Sequence, residues 1–190
     1  GPVYQYVDKG GHLSANGYRW FGQMLGKVYH HVAVERRQWQ PLAPRRATVA
    51  GKAIYLDFHV PHPPLAFDQA YIGHRATDIE HQGFRVYEGD KEVAISAVEI
   101  VADTVVRITT EQPLTGVPKV TYASFQVGGA GNLRDSDPTE ADAHYQFLTD
   151  GSMRAQENIK ALVDKPYPLQ NWSIAFEIEA LPEAAYGEGD

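Results

Sequence analysis

Two periodicities divide the chain. Trp20, Phe21, Met24, Leu25, Val28, Tyr29 and Val32 recur three and four residues apart. That spacing predicts an amphipathic helix over about residues 15–32, with Ser14 as its N-cap. Gly17, Gly22 and Gly26 lower its intrinsic stability and thin one face, which lets another element approach closely. Such a helix needs a partner to bury its apolar side. Residues 33–47 form a basic connector punctuated by Pro41 and Pro44.

Beyond the connector the period falls to two. Thr48-Val49-Ala50, a Gly51-Lys52 turn and Ala53 to Val60 predict a pair of strands, the second stopped by Pro61, Pro63 and Pro64. Leu65–Phe67, Gly83–Tyr87, Glu92–Val101, Thr104–Thr109, Lys119–Ala123 and Ile174–Ile178 are further strand candidates. Glu88-Gly89-Asp90-Lys91 supplies a hairpin turn. Ser152 to Val163 reads as a short helix with Ile159, Leu162 and Val163 inward. Many short strands without βαβ alternation predict a mainly β fold. The expected architecture is an antiparallel β-sandwich, immunoglobulin-like or jelly-roll, preceded by one N-terminal helix.

Composition narrows the partners. Lys plus Arg number 17 against 24 Asp plus Glu, a net charge of -7, which argues against nucleic-acid backbone as the main partner. The absence of cysteine excludes disulfides and cysteine chemistry. No apolar run approaches the roughly 18 residues of a membrane span, and no signal-peptide pattern is visible, so no membrane partner is expected. Gly1-Pro2 resembles the scar left by removal of a tag, so the chain reads as an excised piece. The 11 Tyr and 3 Trp suit sugar stacking and an ordinary β core equally.

The candidate chemistry begins at Asp8 and His12, on a Gly-rich loop running into the helix. In serine hydrolysis a histidine takes the nucleophile's proton and a carboxylate fixes its tautomer. By spacing alone a solvated loop is the favoured reading of the pair. The stretch Asp8 … Gly11-His12-Leu13-Ser14-Ala15-Asn16-Gly17-Tyr18-Arg19 resembles the final block of SGNH/GDSL-type esterases. There the triad Asp and His precede the last helix, with two residues between them; here three residues intervene, and Gly10-Gly11 can absorb the extra one. A second block is similar to the C-terminal region of sialate O-acetylesterases, most closely those encoded by prophages of enteric bacteria. It comprises Val120-Thr121-Tyr122-Ala123, Gly131 to Pro138 and Tyr145-Gln146-Phe147-Leu148-Thr149-Asp150. The resemblance implies a carbohydrate O-acetylesterase as parent, with His12 and Asp8 as the remnant of its triad. The division it implies is a catalytic terminus over 1–33, a connector over 34–47, an accessory β-domain over 48–182 and an acidic tail over 183–190. Its expected partners are a sialylated or O-acetylated glycan and the upstream catalytic domain. A secreted, cell-surface or phage-associated setting is expected over a cytoplasmic one.

No Gly-Asp-Ser nucleophile block occurs, and Ser96, Ser124, Ser136, Ser152 and Ser173 lack an elbow context, so the chain is not expected to hydrolyse esters alone. His59-Val60-Pro61-His62, His74 and His81 raise a metal, but nothing specifies a third ligand; no metal or other cofactor is expected. His30-His31 suits the negative end of the helix dipole. Asn132 and Asp135-Ser136-Asp137 read as a turn-forming Asx cluster. Sugar binding calls for aromatic faces and, for a carboxylated sugar, an arginine. Arg134, Tyr145, Trp172 and Arg75 are the chosen candidates, from a pool that includes Tyr71, Tyr167, Arg85 and Arg154. For Trp39 and Trp172, core packing is the competing expectation and the favoured one.

Overall fold

The structure, a computed structural model, describes residues 13–72, 75–149, 155 and 158–183, with the side chains of 72 and 75 outside that description. In chain order the elements are α1 (Ala15–Tyr29), β1 (Ala43–Ala50), β2 (Ala53–His59), β3 (Ala66–Phe67), β4 (Ala70–Ile72) and β5 (Arg75–Thr77). Then come β6 (Phe84–Glu88), β7 (Lys91–Val93), β8 (Ile95–Ala102), β9 (Val105–Thr110) and β10 (Lys119–Tyr122). The series closes with β11 (Leu133–Arg134), β12 (Glu140–His144), β13 (Pro166–Pro168), β14 (Phe176–Glu179) and β15 (Leu181–Pro182).

Two sheets face each other. One has the order β15-β1-β2-β9-β8, the other β14-β10-β6-β7. All pairings within them are antiparallel except β1 with β15. Take β1, β2, β6, β8, β9, β10 and β14 as the seven sandwich strands in sequence. Strands one, two, five and four then form the first sheet, and seven, six and three the second, which is the immunoglobulin arrangement.

Alternation is the cause. In β2 Ile54, Leu56 and Phe58 point inward, and in β9 Val106 and Ile108 do so; Phe84, Val86, Val120 and Tyr122 answer from the second sheet. Each such side chain contributes about 1.5–3 kcal/mol by leaving water. The turn at Gly51 (φ +61°) closes the β1–β2 hairpin at the predicted place. β1 begins at Ala43 rather than Thr48, with a bulge between Pro44 and Arg46 that accommodates the missing proline N–H.

The strand links 60–83 and 123–175 are long, and they build a second layer. They pair through β3 and β11 and enclose a smaller core of Trp20, Tyr145, Ile159, Tyr167, Leu169 and Trp172. Ile159 is buried, with Leu162 and Val163 packed beside it, as expected. The predicted helix from Ser152 falls largely outside the described residues, and its described end, 158–163, is bend and turn.

Helix α1 covers this second core. Ser14 caps it, its hydroxyl accepting from the Gly17 N–H at 3.1 Å. It continues as a π-helical turn over His30–Val34 and stops at Arg36, whose φ of 56° is left-handed. No helix among the described residues is long and apolar enough to cross a membrane.

Candidate functional site

Helix α1 is held to the β-domain by polar side chains. Asn16, fully buried, donates from Nδ2 to the Gln146 carbonyl at 2.8 Å. Its Oδ1 accepts from the Gln146 N–H at 2.9 Å and from the Tyr167 hydroxyl at 2.6 Å. Trp20 Nε1 donates to the Pro168 carbonyl at 3.1 Å. In the last turn of α1, Lys27 Nζ reaches Asp137 Oδ2 at 2.8 Å and also the Leu169 carbonyl. The stretch beginning at Asn16 and the stretches around Asp137 and Gln146, far apart in sequence, are therefore in contact.

The Asx cluster is a hub. Asp135, wholly buried, accepts from the backbone N–H of His62, Asp137 and Asn171 at 3.0, 3.2 and 2.8 Å, and from Asn171 Nδ2 at 2.7 Å. Asp137 accepts from Lys27 and from both the N–H and hydroxyl of Thr139, at 2.9 and 2.6 Å. Its burial favours the neutral form, but the Lys27 ammonium and the Thr139 donors outweigh that and hold the carboxyl down at about 2.

Where the end of α1 meets this hub, a groove of about 390 Å³ opens. The helix contributes Lys27, His30 and His31; the strand end and following turn contribute His59 and His62; the hub contributes Asp137, Thr139 and Asn171. The connector closes it with Gln38, Trp39 and Gln40. Trp39 is 40% exposed, against the expectation of core packing. Its indole belongs to neither apolar cluster. His59 Nδ1 accepts from Arg45 Nη2 at 2.8 Å, which places the ring proton of the neutral imidazole on Nε2. His62 Nε2 lies 3.6 Å from Asp137 Oδ2, and His31 Nδ1 lies 3.2 Å from Glu35 Oε2. Sequence reading treated the paired histidines, the His59/His62 motif, Trp39 and the Asx cluster separately; the structure gathers them around one groove.

An indole face beside imidazoles, amides and a hydroxyl is suited to binding a polar ring. Among the described residues no serine lines that groove. Ser96, Ser136 and Ser173 donate their hydroxyl protons to the carbonyls of Thr109, Pro64 and Ile174. Among the described residues no group of three or more His, Cys, Asp or Glu is placed to hold a metal.

The chosen sugar contacts fare differently. Tyr145 is 1% exposed, with its hydroxyl accepting from the Ile159 N–H at 3.1 Å. Trp172 is 7% exposed and bridges to Arg134 through the backbone. Both are packing residues of the second core, so their ring faces are not open to a sugar. Arg134 donates from Nε to Asp68 Oδ2 and from Nη1 to the Asp135 carbonyl, both at 2.7 Å, so its guanidinium ties the two long links together. Arg75 opens β5, and its side chain lies outside the described residues, as do Asp8, His12, His74 and Arg154. Arg85 is bridged by Glu80 and Glu92 at 2.7 and 3.0 Å.

No family model matches the chain, and no curated protein matches it in sequence. A solved structure that it is similar to is a carbohydrate acetylesterase from Xanthomonas citri, at 18% sequence identity and a TM-score of 0.49. The likeness covers 67% of this chain and 28% of that one, so the chain spans less than a third of that enzyme's length.

Proposed function

We propose that this chain is the carbohydrate-binding accessory module of a carbohydrate O-acetylesterase, and that it is not catalytic alone. The Trp39 groove takes a sialylated or O-acetylated glycan, with the indole against a sugar face and the surrounding imidazole and amide groups on its hydroxyls. The observation that carries the reading is the exposed indole in a polar groove. The block that resembles SGNH/GDSL-type esterases and the block that is similar to sialate O-acetylesterases support it, since Asn16 of the first is hydrogen-bonded to Gln146 of the second. His12 and Asp8 keep their proposed place as the remnant of the parent's triad. The groove and the Ser14 end of α1 lie some 20 Å apart along the helix at ~1.5 Å per residue, so glycan holding and ester cleavage would be separate events. Calorimetric titration of the chain with sialyllactose and with O-acetylated sialosides tests this. Heat of binding that Trp39→Ala removes is expected; a flat response to every ligand refutes it.

A second reading is structural, and one observation favours it. Tyr18, Phe21, Leu25, Tyr29 and Val32, at three- and four-residue spacing, are 45–69% exposed along the side of α1 that the β-domain does not cover. In this reading the stripe packs on the upstream catalytic domain of the same protein. Hydrogen exchange of α1 in the parent protein and in the chain alone checks it: extra protection in the parent that Phe21→Ser with Leu25→Ser removes is expected, and equal protection in both refutes it.

A further inference from the structure

We propose a second ligand site, for a neutral sugar, on the outer face of the sheet β14-β10-β6-β7. In β10 Val120 and Tyr122 point into the core, so Lys119 and Thr121 belong to the opposite face. A groove of about 500 Å³ lies there, bounded by Tyr87, Asp90, Lys119, Thr121, Gln126 and Glu177, with Ser124 at its margin.

Two hydroxyls of this wall are anomalous. Thr121 is 6% exposed although it lies on the outward face, and its Oγ1 has no hydrogen-bond partner; Ser124 Oγ is buried without one as well. A buried hydroxyl left unsatisfied costs on the order of 1–3 kcal/mol. Two in one groove mark a place where an outside partner supplies the missing bonds. Between them Ala123 has a φ of 48°, left-handed for a residue with a Cβ. The turn that follows lifts Phe125, 96% exposed, between the groove residues Ser124 and Gln126.

The charges select the ligand class. Lys119 is paired with Glu177 at 3.3 Å and sits 5.8 Å from the centre of the Tyr87 ring. Asp90 adds a negative charge, so the groove has no cation to spare for a carboxylated or phosphorylated ligand. What remains in its lining is two hydroxyls, an amide at Gln126 and the aromatic ring of Tyr87. A neutral sugar meets that set: its hydroxyls both donate and accept, and its C–H face lies on an aromatic ring. This site is independent of the Trp39 groove and does not rest on the reading given to it.

The test uses the full chain and the methyl glycosides and short oligosaccharides of xylose, glucose and galactose, with sialyllactose as the acidic control. Saturation-transfer NMR and calorimetry read the affinity. One neutral series is expected to bind. Tyr87→Leu should weaken it by about fivefold or more, the equivalent of a lost aromatic contact. Thr121→Val, which removes only the hydroxyl, should weaken it by about threefold or more, the smaller effect of one lost hydrogen bond. Trp39→Ala should leave that affinity unchanged. The proposal is overturned if no neutral sugar binds at ~10 mM, a concentration that detects even feeble affinity. It is equally overturned if binding is indifferent to both Tyr87→Leu and Thr121→Val, which would place the sugar elsewhere. Loss of sialyllactose binding in Trp39→Ala, with the neutral sugar unaffected, speaks to the other groove and separates the two outcomes.

Discussion

The two cores of this molecule are built on different physics. The sandwich core is apolar and comes from regular alternation, with Ile54, Leu56, Phe84, Val86, Val106, Ile108 and Val120 sealed between two sheets. The second core has aromatic bulk, but what places its walls is a small set of polar contacts spanning 110 residues and more: Asn16 to Gln146 and Tyr167, Trp20 to Pro168, Lys27 to Asp137. Area burial is tolerant of small geometric errors, whereas a buried hydrogen bond is either made or missing. The first core should therefore respond to lost volume and the second to a lost polar atom or a changed charge.

The largest expected effect comes from the sandwich. Ile108→Ala should cost about 2–5 kcal/mol, read as a lower urea midpoint of the whole chain. A loss confined to one sheet would show that the sheets do not share a core. Asn16→Ala should cost less in total, roughly 1–3 kcal/mol, because it removes both partners of the Gln146 backbone and the acceptor of the Tyr167 hydroxyl proton. Its signature is local: hydrogen exchange should quicken in α1 and around β12 and β13 while β2 and β9 keep their protection. Uniform loss across both cores would erase the distinction drawn between them.

Acid should separate the cores next. The Asp137 carboxyl titrates at about 2 in the folded chain, below its ordinary value of 3.8. A depressed folded value contributes stability above the unfolded value and loses it as pH falls between the two. The loss from pH ~4 to pH ~2 should be about 2 kcal/mol, and it should strike the α1 contacts first. Asp137→Asn should flatten this slope; an equal slope in that variant places the acid sensitivity elsewhere. Smallest in stability is Trp39→Ala, expected within about 0.5 kcal/mol of the parent because the indole is exposed. A large loss of stability from it would make Trp39 part of the packing after all.

These contrasts also explain what was legible in the chain. Most sandwich strands and their hairpin turns followed from period-two alternation and from Gly51 and Gly89, since each strand carries its own pattern. The helix and its Ser14 cap were legible for the same local reason. Glu92–Val101, read as one strand, is instead split at Ala94 into β7 and β8, which lie in opposite sheets. β3 was found as Leu65–Phe67, but β4, β5, β11 and β13 were missed, because two or three residues carry no period and are strands only through their pairing partners. The site was harder. Trp39 and Trp172 are the same side chain with opposite fates, and the difference is set by what folds against them. Arg134 has the chemistry to hold a carboxylated sugar, yet Asp68, brought close only by the fold, takes its guanidinium. Asn16 stood inside a quoted motif with its role unread, because its partners lie 130 and 151 positions away.

The Asn16 clamp also bears on how this piece can be moved between proteins. Linear order puts α1 ahead of the connector, as though it belonged to whatever precedes it, yet its closest polar partners are in the last third of the chain. A cut at the connector would strip Trp20 and Asn16 from Tyr167 and Gln146 and leave an aromatic floor bare to solvent. For recombination and for protein engineering alike, the unit that travels intact starts at the helix cap and not at the first strand.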